Sequence, residues 1–512
     1  MPVMWPSGPA RISGAARPPA RLPAAHAALG WFAAALVFGL AATQAPLFTG
    51  NQHTKFLIGL ARAGHGSLAG DWLAHTADPL PAFSALVRWT CALLPQEAFY
   101  AYSLILFGVY LYALLGIARG LFGLDRSRPA LFLLFGLLVF LHSRLLRRLV
   151  IEALGWNAAE LLHEGLADQY ILSRVFQPCV FGVFLLLSIR VFLRGRPRAA
   201  ALLLAPAVLF HPGYLLTALA LALSYCAPSR HASRSWVRGL EPLALALLPA
   251  APILIYNALA LRPASPELWR EGVSFLVHER IPHHALPAIW FDRGAVVQAG
   301  LIVWAMLIVR RTRLLPVMLI PFSLGTLLTL LQVIAGSDSL ALLAPWRVSA
   351  FLMPLATVIL FARLLAALLG IFARPGGARA AVWLAAGFLV ASVLAGARWQ
   401  VMDLAGRRSR PEAPMLDHVR RTHSPGDVYL VPPMDPAFIG FRLDTGAPVL
   451  ATWKSHPYRM DDELREWRER IEAGRAIYGA SGDSICASAD RAAARYGVTH
   501  VVTRVGAQDP VC

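Results

Sequence analysis

The first long polar segment of the chain carries residue types that acid–base or metal chemistry requires. It contains Lys55, His65, Asp71, His75 and Asp78. A carboxylate there could act as a general base toward a hydroxyl group, or hold a divalent cation through its oxygens. The alternative is a solvated loop in which one aspartate caps a helix and the other begins an Asp-Pro turn.

A second polar segment combines carboxylates with a histidine and an arginine. Glu160, His163 and Glu164 are spaced so that they share one face of a helix, and Asp168 and Arg174 follow them. Such a group could ligate a metal or bind a polar substrate. The alternative is the wet side of a helix that lies at a membrane surface.

Three further candidates lie in apolar surroundings. His211 and Tyr214 flank a Pro-Gly pair that interrupts an apolar stretch, and Arg347 opens a later apolar helix. Broken helices in membranes line cavities or contact other protein, so His211 and Tyr214 could border a substrate chamber. An arginine at a helix end can bind a phosphate through paired hydrogen bonds. The alternatives are a satisfied core histidine at position 211 and an arginine that reaches toward lipid headgroups.

Composition places these residues in a membrane protein. Of 512 residues, 57% are hydrophobic and only 15% charged, and the mean hydropathy is +0.56. Soluble domains carry nearer about 25% charged residues. Apolar runs of about 20 residues span a bilayer, and in lipid they must be helical because only helices satisfy their own backbone groups. We therefore predict an all-α membrane bundle.

The apolar runs predict about nine membrane-spanning helices and a shorter broken pair. The pair covers Ala199–Cys226, and proline and glycine near residue 212 disfavour a straight helix there. Its halves are too short to cross alone, so we expect a re-entrant pair. The nine runs are Ala27–Ala45, Ala98–Ala118, Pro129–His142, Val175–Phe192, Leu240–Ala258, Ala295–Val309, Leu314–Ile334, Val348–Leu365 and Ala381–Ala397.

Arginine-rich loops set the expected orientation in a bacterial inner membrane. Arg11, Arg17 and Arg21 precede the first run, and basic loops recur after alternate runs. Because basic loops remain cytoplasmic, the N-terminus is expected inside and the C-terminus in the periplasm. The segments are a cytoplasmic tail (1–26), a transmembrane region (27–399) with outer loops 47–97, 143–174 and 260–294, and a periplasmic C-terminal domain (407–512).

The net charge of +18 belongs to the membrane part of the chain. After residue 406 there are 15 basic and 14 acidic residues, which leaves 32 of 47 basic and 15 of 29 acidic residues before it. All but two of the basic residues are arginines; the lysines are Lys55 and Lys454. The bilayer is therefore the expected partner, through anionic headgroups, and no motif points to nucleic acid.

The C-terminal domain is predicted to be small and of the α/β class. Val428–Val431, Val449–Thr452 and Val498–Val505 have the composition of strands, and Asp461–Ile477 and Ser488–Tyr496 that of amphipathic helices.

Two of the five cysteines fall in this domain. Because an oxidising periplasm permits disulfides, we expect Cys486 to pair with Cys512.

Several function classes lack their usual sequence signals. There is no phosphate-binding loop of the ATPase kind, no dinucleotide-binding glycine motif and no zinc-protease motif. The two-fold repeat that many transporters show is also not visible.

The chain resembles the GT-C superfamily, membrane glycosyltransferases that use sugars linked to a lipid phosphate. A long first outer loop with an aspartate, short mid-chain helices, a late outer arginine and an outer C-terminal domain carry the resemblance. More closely, the chain resembles a family of uncharacterised bacterial membrane proteins known as a domain of unknown function. The segments involved are Leu172–Pro178, His211-Pro212, Trp453–Pro457, Glu466–Arg470 and Tyr496–Val498.

The resemblance implies a polyprenyl-phosphate sugar as donor and a glycan or lipid as acceptor. It makes Asp71 the first-loop acid, Asp78 a second candidate acid and Arg347 a contact to the lipid phosphate. The resemblance also suggests a divalent cation (Mg²⁺ or Mn²⁺). Its ligands are not assigned, because the paired aspartates of the superfamily are missing from the first loop.

The remaining candidates are predicted to bind substrate. The alternative function is a non-catalytic membrane protein of the same fold that binds lipid or glycan or scaffolds the envelope. The predicted substrate contacts are Lys55, His163, Glu164, Asp168, Arg174, His211, Tyr214 and Arg347.

Overall fold

Helices dominate the computed structural model, which describes residues 24–233, 236–479 and 483–503. The first half contains α1 Ala24–Ala42, α2 Gln52–Lys55, α3 Leu57–Arg62, α4 Pro81–Leu93, α5 Ala98–Phe122, α6 Arg128–Leu141, α7 Arg144–Leu154, α8 Val183–Leu193, α9 Pro197–Leu202, α10 Ala205–Phe210, α11 Leu215–Ser233, α12 Trp236–Leu247 and α13 Ala251–Ala260. The second half contains α14 Pro266–Phe275, α15 Pro282–Ala285, α16 Pro287–Trp290, α17 Arg293–Ile308, α18 Leu314–Ala335, α19 Asp338–Leu342, α20 Ser349–Ala367, α21 Leu369–Phe372, α22 Pro375–Arg408, α23 Ala413–Thr422, α24 Phe441–Thr445, α25 Asp462–Tyr478 and α26 Asp483–Tyr496. The described residues also contain two strands, β1 Tyr429–Leu430 and β2 His500–Val501, and several short 3₁₀ turns.

Within the described residues, four helical stretches are long and apolar enough to cross a membrane. They are Ala98–Phe122, Leu314–Ala335, Asp338–Ala367 and Pro375–Arg408. Two pairs of helices, α6 with α7 and α12 with α13, are bent by 60° and 58°, and would raise the number to six if each pair formed one span. Helices occupy all nine predicted runs, so the mainly helical class is confirmed. Nine complete spans and their orientation stay predictions.

Helix α20 lies at the centre of the bundle. Every residue from Ser349 to Ile359 is buried. A helix that is apolar on all sides is stable only when other helices surround it, and α20 contacts α5, α6, α8 and α17. The residues just before α20 are therefore held in a fixed position, and Arg347 is one of them.

The predicted break near residue 212 is present. Helix α10 ends at Phe210, His211 has φ of −144°, and a short 3₁₀ turn at Pro212–Tyr214 leads into α11. Proline lacks the N–H that would continue the helical hydrogen bonds, so the helix must end there. Helix α11 has 19 residues and is longer than the predicted half. Re-entry into the membrane stays a prediction.

The C-terminal segment contains less strand than expected. β1 and β2 pair in parallel, with Tyr429 opposite His500. Val449 forms only a single bridge to Tyr429, because the chain turns back at Thr452 instead of extending. The predicted strand at Val449–Thr452 is thus reduced to one bridge, whereas both predicted helices are present as α25 and α26.

This segment packs on the loop that contains α14. Trp467, Leu464 and Ile471 of α25 share a hydrophobic cluster with Phe275 and Val277. The side chain of Trp467 is 1% exposed and is therefore part of the core. The contact brings the C-terminal residues next to the loops that carry the candidate site.

Candidate functional site

The candidate site is built around a tight turn at residues 165–169. The Gly165 N–H donates to the Gln169 carbonyl at 2.6 Å, and Ala167 and Asp168 both have φ of 56°. Left-handed backbone costs about 1–3 kcal/mol at each non-glycine residue, so the surroundings must enforce this shape. The Ser349 hydroxyl at the start of α20 contributes by donating to a carbonyl of the turn at 3.3 Å.

Arg347 lies directly behind this turn. Its Nε donates to Gln169 Oε1 at 3.2 Å, and its Nη1 lies 3.3 Å from His211 Nε2. Gly213 leaves the necessary space, since a Cβ there would collide with the guanidinium. Among the described residues no carboxylate lies within 4 Å of Arg347. The arginine is therefore positioned by neutral partners and keeps an uncompensated charge.

A possible set of metal ligands lies on the other side of the turn. Asp168, His283 and His284 each offer one ligand atom, and these atoms lie within 4.8 Å of one another. His284 Nδ1 lies 2.7 Å from the Ala167 carbonyl and 3.1 Å from Gln169 Nε2. The shorter contact favours the tautomer with the proton on Nδ1, which leaves Nε2 as the ligand atom. Two imidazole nitrogens and one carboxylate suit Mn²⁺ or Zn²⁺ better than Mg²⁺, which prefers oxygen ligands throughout.

Three more cations from distant parts of the chain share neighbours with Arg347 or with one another. Lys55 acts electrostatically on His211 together with Arg347, and Lys454 acts on His284 together with Arg347. Lys55 Nζ donates to the Tyr458 hydroxyl and lies 4.3 Å from the centre of that ring. Arg280 Nη2 donates to the Lys454 carbonyl at 3.3 Å, and its buried Nε has no hydrogen-bond partner. Burial and then the charges of Arg280 and Lys55 lower the pKa of Lys454. We call Lys55, Arg280, Arg347 and Lys454 the cationic cluster.

Two buried histidines lie within the electrostatic influence of the cationic cluster. Burial is the main cause that lowers the pKa of His456 to about 3, and Arg280, Lys55 and Lys454 add to it. Burial likewise lowers the pKa of His284 to about 4, with contributions from Arg347 and Lys454. Both imidazoles are therefore neutral at pH 7 and add no further positive charge. Both lysines of the chain belong to this cluster.

Glu164 separates two cavities. The larger, of about 430 Å³, is polar and is also lined by Asp168, His283 and Trp290. The smaller, of about 250 Å³, has an apolar wall and a rim of arginines; it is lined by Phe38, Phe107, Leu141, His163, Arg144, Arg147 and Arg174. A carboxylate in this position can contact ligands on either side.

The surroundings of Glu164 favour its neutral form. Burial raises the pKa of this carboxyl to about 8, and the negative charges of Glu160 and Asp168 act in the same direction. Arg147 opposes them with a smaller effect. A carboxyl with a pKa near the working pH can exchange protons with a substrate, which is the property that general acid–base catalysis requires.

Asp71, by contrast, is occupied by structural contacts. Its Oδ2 accepts hydrogen bonds from Arg442 Nε at 2.6 Å and from the Val449 N–H at 3.0 Å, and its Oδ1 accepts from the Leu73 N–H at 3.0 Å. The side chain is 0% exposed. Substrate cannot reach it, so its surroundings favour the helix-cap alternative over the predicted catalytic role.

Asp78 is occupied in a similar way. One oxygen accepts from the Leu80 N–H at 3.0 Å and from the Ser84 hydroxyl at 3.1 Å, and the other pairs with Arg62 at 3.2 Å. It faces the cavity that Lys55 lines, but that cavity is only about 20 Å³, room for about one water molecule. These contacts favour the alternative in which Asp78 stabilises an Asp-Pro turn of the loop.

The other predicted substrate contacts divide into structural and accessible residues. Arg174 donates to the Thr43 carbonyl at 2.9 Å and to Asp403 at 2.8 Å, which fixes the second loop to α1 and α22. The buried Tyr214 donates to the Cys179 carbonyl at 2.8 Å and supports the helix break. His163 lines the smaller cavity, with its ring centre 4.7 Å from that of His142.

The predicted disulfide cannot be located, since Cys512 lies outside the described residues. Cys486 lies in α26, and its pairing with Cys512 stays a prediction.

Sequence reasoning missed Arg280, His283, His284 and Lys454 as site residues. Lys454 carried a signal, because it is one of two lysines in an arginine-rich chain. The adjacent pair His283-His284 in the third outer loop was a second signal. Arg280 carried none, since many other arginines share its setting.

Comparison with known proteins yields one family match. A family described as a domain of unknown function (DUF6798) matches residues 410–473. No curated protein and no solved structure matches the chain. The matched segment contains Arg442, the partner of Asp71, and Lys454 of the cationic cluster.

Proposed function

We propose that this chain is a membrane glycosyltransferase of the GT-C kind. It transfers sugar from a polyprenyl-phosphate donor at the outer face of the bacterial inner membrane to a glycan or lipid acceptor. The observation that carries the proposal is the cationic cluster. Its four cations converge from four distant segments, and none has a carboxylate within 4 Å among the described residues.

A concentration of half-buried, uncompensated cations is costly to a fold. Breaking or omitting the counter-ion of a buried charge costs about 3–5 kcal/mol, and surface screening reduces that only in part. A ligand phosphate would supply the missing negative charge. Arg347 would contact two phosphate oxygens, and its neutral neighbours Gln169 and His211 would orient it without competing for the anion.

Glu164 fits the role of the catalytic base better than Asp71. In the proposed reaction an acceptor hydroxyl oxygen bonds to the anomeric carbon while the bond from that carbon to the phosphate oxygen breaks. Polyprenyl phosphate leaves with the electron pair of the broken bond, and the hydroxyl proton passes to the carboxylate form of Glu164, which is the minority form at neutral pH because the pKa is raised to about 8. The donor sugar occupies the polar cavity of about 430 Å³, and the acceptor the apolar-walled cavity of about 250 Å³.

A divalent cation is compatible with this arrangement. Asp168, His283 and His284 would hold it, and it would neutralise charge on the donor phosphate. Mn²⁺, which the sequence suggested beside Mg²⁺, suits their nitrogen and oxygen donors.

The membrane setting belongs to the same proposal. Nine spans, a re-entrant pair at Ala199–Cys226, a cytoplasmic N-terminus and a periplasmic α/β domain from residue 407 would put all site loops on the outer face. An amphiphilic donor could then enter sideways from lipid. Lys454 reaches the cationic cluster from the C-terminal segment, which supports placing that segment on the same face as the loops.

One observation favours a non-catalytic alternative. Both aspartates that the superfamily resemblance marked as acids are bound in structural contacts. A protein with the cationic cluster but no working base would bind lipid phosphate or glycan without transferring sugar.

The experiment measures binding of polyprenyl phosphate and its release from a panel of polyprenyl-phosphate hexoses and pentoses. We expect Arg347→Gln to weaken binding by about 10- to 100-fold, the loss of one or two charge-assisted hydrogen bonds. Arg310→Gln, which removes an exposed arginine, is the matched control. Glu164→Gln should keep binding and lose release.

The outcomes separate the candidates. Binding without release by the wild-type protein, abolished in Arg347→Gln, would establish the non-catalytic alternative. Equal binding by Arg347→Gln and the wild-type protein would overturn the assignment of the cationic cluster.

A further inference from the structure

A second cavity with several arginines lies at the far end of the bundle from the candidate site. Tyr100, near the start of α5, bonds to the first outer loop through Gln44 and Leu47. The cavity is at the other end of the same helix, where Gly116 and Gly120 line it. At 1.5 Å per residue the two ends are roughly 30 Å apart. This cavity is therefore separate from the two cavities that Glu164 lines.

The cavity has a volume of about 380 Å³ and a strongly positive lining. Its charged residues are Arg119, Arg190, Arg194 and Arg313, with Asp125 as the one carboxylate. Among the described residues none of these arginines has a carboxylate oxygen within 4 Å. Asp125 therefore offsets at most one of four charges.

Arg190 distinguishes this cavity from an ordinary cluster of surface arginines. Its side chain is only 5% exposed, and its Nε has no hydrogen-bond partner. Nη1 donates to the Tyr112 carbonyl, and the guanidinium lies 3.3 Å from the centre of the Tyr112 ring. A buried N–H without a partner costs about 1–3 kcal/mol unless a ligand accepts from it, and Arg190 lines the cavity in which such a ligand could lie.

Two glycines of α5 line the cavity beside Arg190. Gly116 lies against the guanidinium, and a Cβ there would collide with it. At Gly120, one turn further, a Cβ would meet nothing within 4 Å, so open space remains beside the arginines. The two glycines leave room both for the buried arginine and for a group bound in front of it.

We propose that this cavity binds a phosphate-bearing anion, either the headgroup of an acidic phospholipid or free phosphate. Arg190 donates to it from within, and Arg194 and Arg313 close over it from the rim. By the distribution of loop arginines this end of the bundle is the cytoplasmic one, where acidic headgroups are abundant. The proposal does not depend on the glycosyltransferase assignment, since it uses other residues at the opposite end.

The test uses the purified full-length chain in detergent and native mass spectrometry with phosphatidylglycerol and phosphatidylcholine. We expect the wild-type protein to hold phosphatidylglycerol about tenfold more tightly, and the double variant Arg194→Gln/Arg313→Gln to lose that preference. Arg310→Gln/Arg311→Gln removes the same charge from exposed positions beside Arg313 that do not line the cavity, and should keep it. Equal losses in both double variants would overturn the proposal, because they would indicate surface charge alone.

Two further arms complete the design. Displacement of phosphatidylglycerol by millimolar inorganic phosphate would identify the bare phosphate group as the ligand, and resistance to it would identify the lipid headgroup. Gly116→Ala should weaken binding by displacing Arg190, whereas Gly387→Ala, at a helical glycine with open space outside the cavity, should not. No preference for phosphatidylglycerol in the wild-type protein would also overturn the proposal.

Discussion

At the scale of single residues, the carboxylates of this protein differ in what surrounds them. Asp71 accepts hydrogen bonds from a guanidinium and two backbone N–H groups and is fully buried. Glu164 has carboxylate neighbours, and burial raises its pKa to about 8. The sequence marks both only as acids in polar loops. Their different suitability for catalysis comes from partners that local sequence does not reveal.

The Asp71–Arg442 pair gives a first prediction. Asp71→Asn leaves the buried Arg442 without its counter-ion, and we expect it to destabilise the protein by about 3–5 kcal/mol. Thermal unfolding in detergent, followed by tryptophan fluorescence, measures the change. Asp417→Asn, which removes an exposed pair with Arg420, should change stability by no more than about 0.5 kcal/mol. An unaltered melting temperature with loss of transfer in Asp71→Asn would return the catalytic role to this carboxylate.

Glu164 gives a second prediction, which concerns pH. In the folded protein the carboxyl keeps its proton up to a pKa of about 8, whereas the unfolded chain releases it near 4.5. The folded state binds more protons in that window, so wild-type stability should fall as pH rises through it, by at most about 1.4 kcal/mol per unit. Glu164→Gln should lack this contribution, so comparing melting temperatures of both proteins from pH 5 to 9 measures it. If the melting temperatures of the two proteins changed in parallel with pH, the raised pKa of Glu164 would be contradicted.

At the scale of elements, three irregular segments position Arg347. The first two are the helix break at residues 211–214 and the turn at 165–169. The third is Ala344, which has φ of 47° and directly precedes the 3₁₀ turn that contains Arg347. Only the break was predictable, because proline and glycine mark it in the sequence. The left-handed residues Ala167, Asp168 and Ala344 carry no such mark, since packing against α20 imposes their conformation.

The break supplies a third prediction. Gly213→Ala places a Cβ where the Arg347 guanidinium lies, so we expect polyprenyl-phosphate binding to weaken by about tenfold with the fold retained. Gly387→Ala, at a helical glycine with open space, is the control and should bind normally. Binding titrations beside a melting curve measure both effects. Normal binding by Gly213→Ala would mean that Arg347 does not need its present position.

The turn at 165–169 supplies a fourth prediction. Asp168→Asn removes the only charged ligand of the Asp168–His283–His284 group, and we expect Mn²⁺ affinity to fall by roughly tenfold or more. Asp292→Asn is a suitable control, because Asp292 lines the same cavity but caps α17, and asparagine caps helices equally well. Calorimetry with Mn²⁺ alone measures both. Equal affinities in the two variants would place the ion elsewhere.

At the scale of the whole molecule, the sequence predicts the helices better than their assembly. The nine predicted apolar runs and the broken pair all coincide with helices, because helical hydrogen bonds are local and lipid or packing must cover the apolar side chains. The contacts that shape the site join residues far apart in sequence. Asp71 and Arg442 are separated by 371 positions, and Arg347 and Gln169 by 178. No local pattern specifies such partners, which is why Arg280 and Lys454 could not be assigned to Arg347 in advance.

The number of membrane crossings gives a fifth prediction, which the orientation of the chain tests. Nine crossings put the two termini on opposite sides, whereas four or six put them on the same side. We expect Ser424→Cys to react with a membrane-impermeant maleimide in cells with a permeabilised outer membrane, and Arg310→Cys to react only after lysis. Both positions are exposed, so access to the reagent depends on the membrane. Reaction of both or neither in intact cells would contradict the predicted orientation.

The Asp71–Arg442 ion pair can form only after the ribosome has synthesised both residues. At about 5–20 residues per second, translation of the 371 positions between them takes roughly 20–75 seconds. During that interval Asp71 lacks its partner Arg442, and Lys55 is present before Lys454, which is made later still. A nascent chain therefore lacks the complete cationic cluster. Under the proposed function, phosphate binding begins only after almost the whole chain has been synthesised.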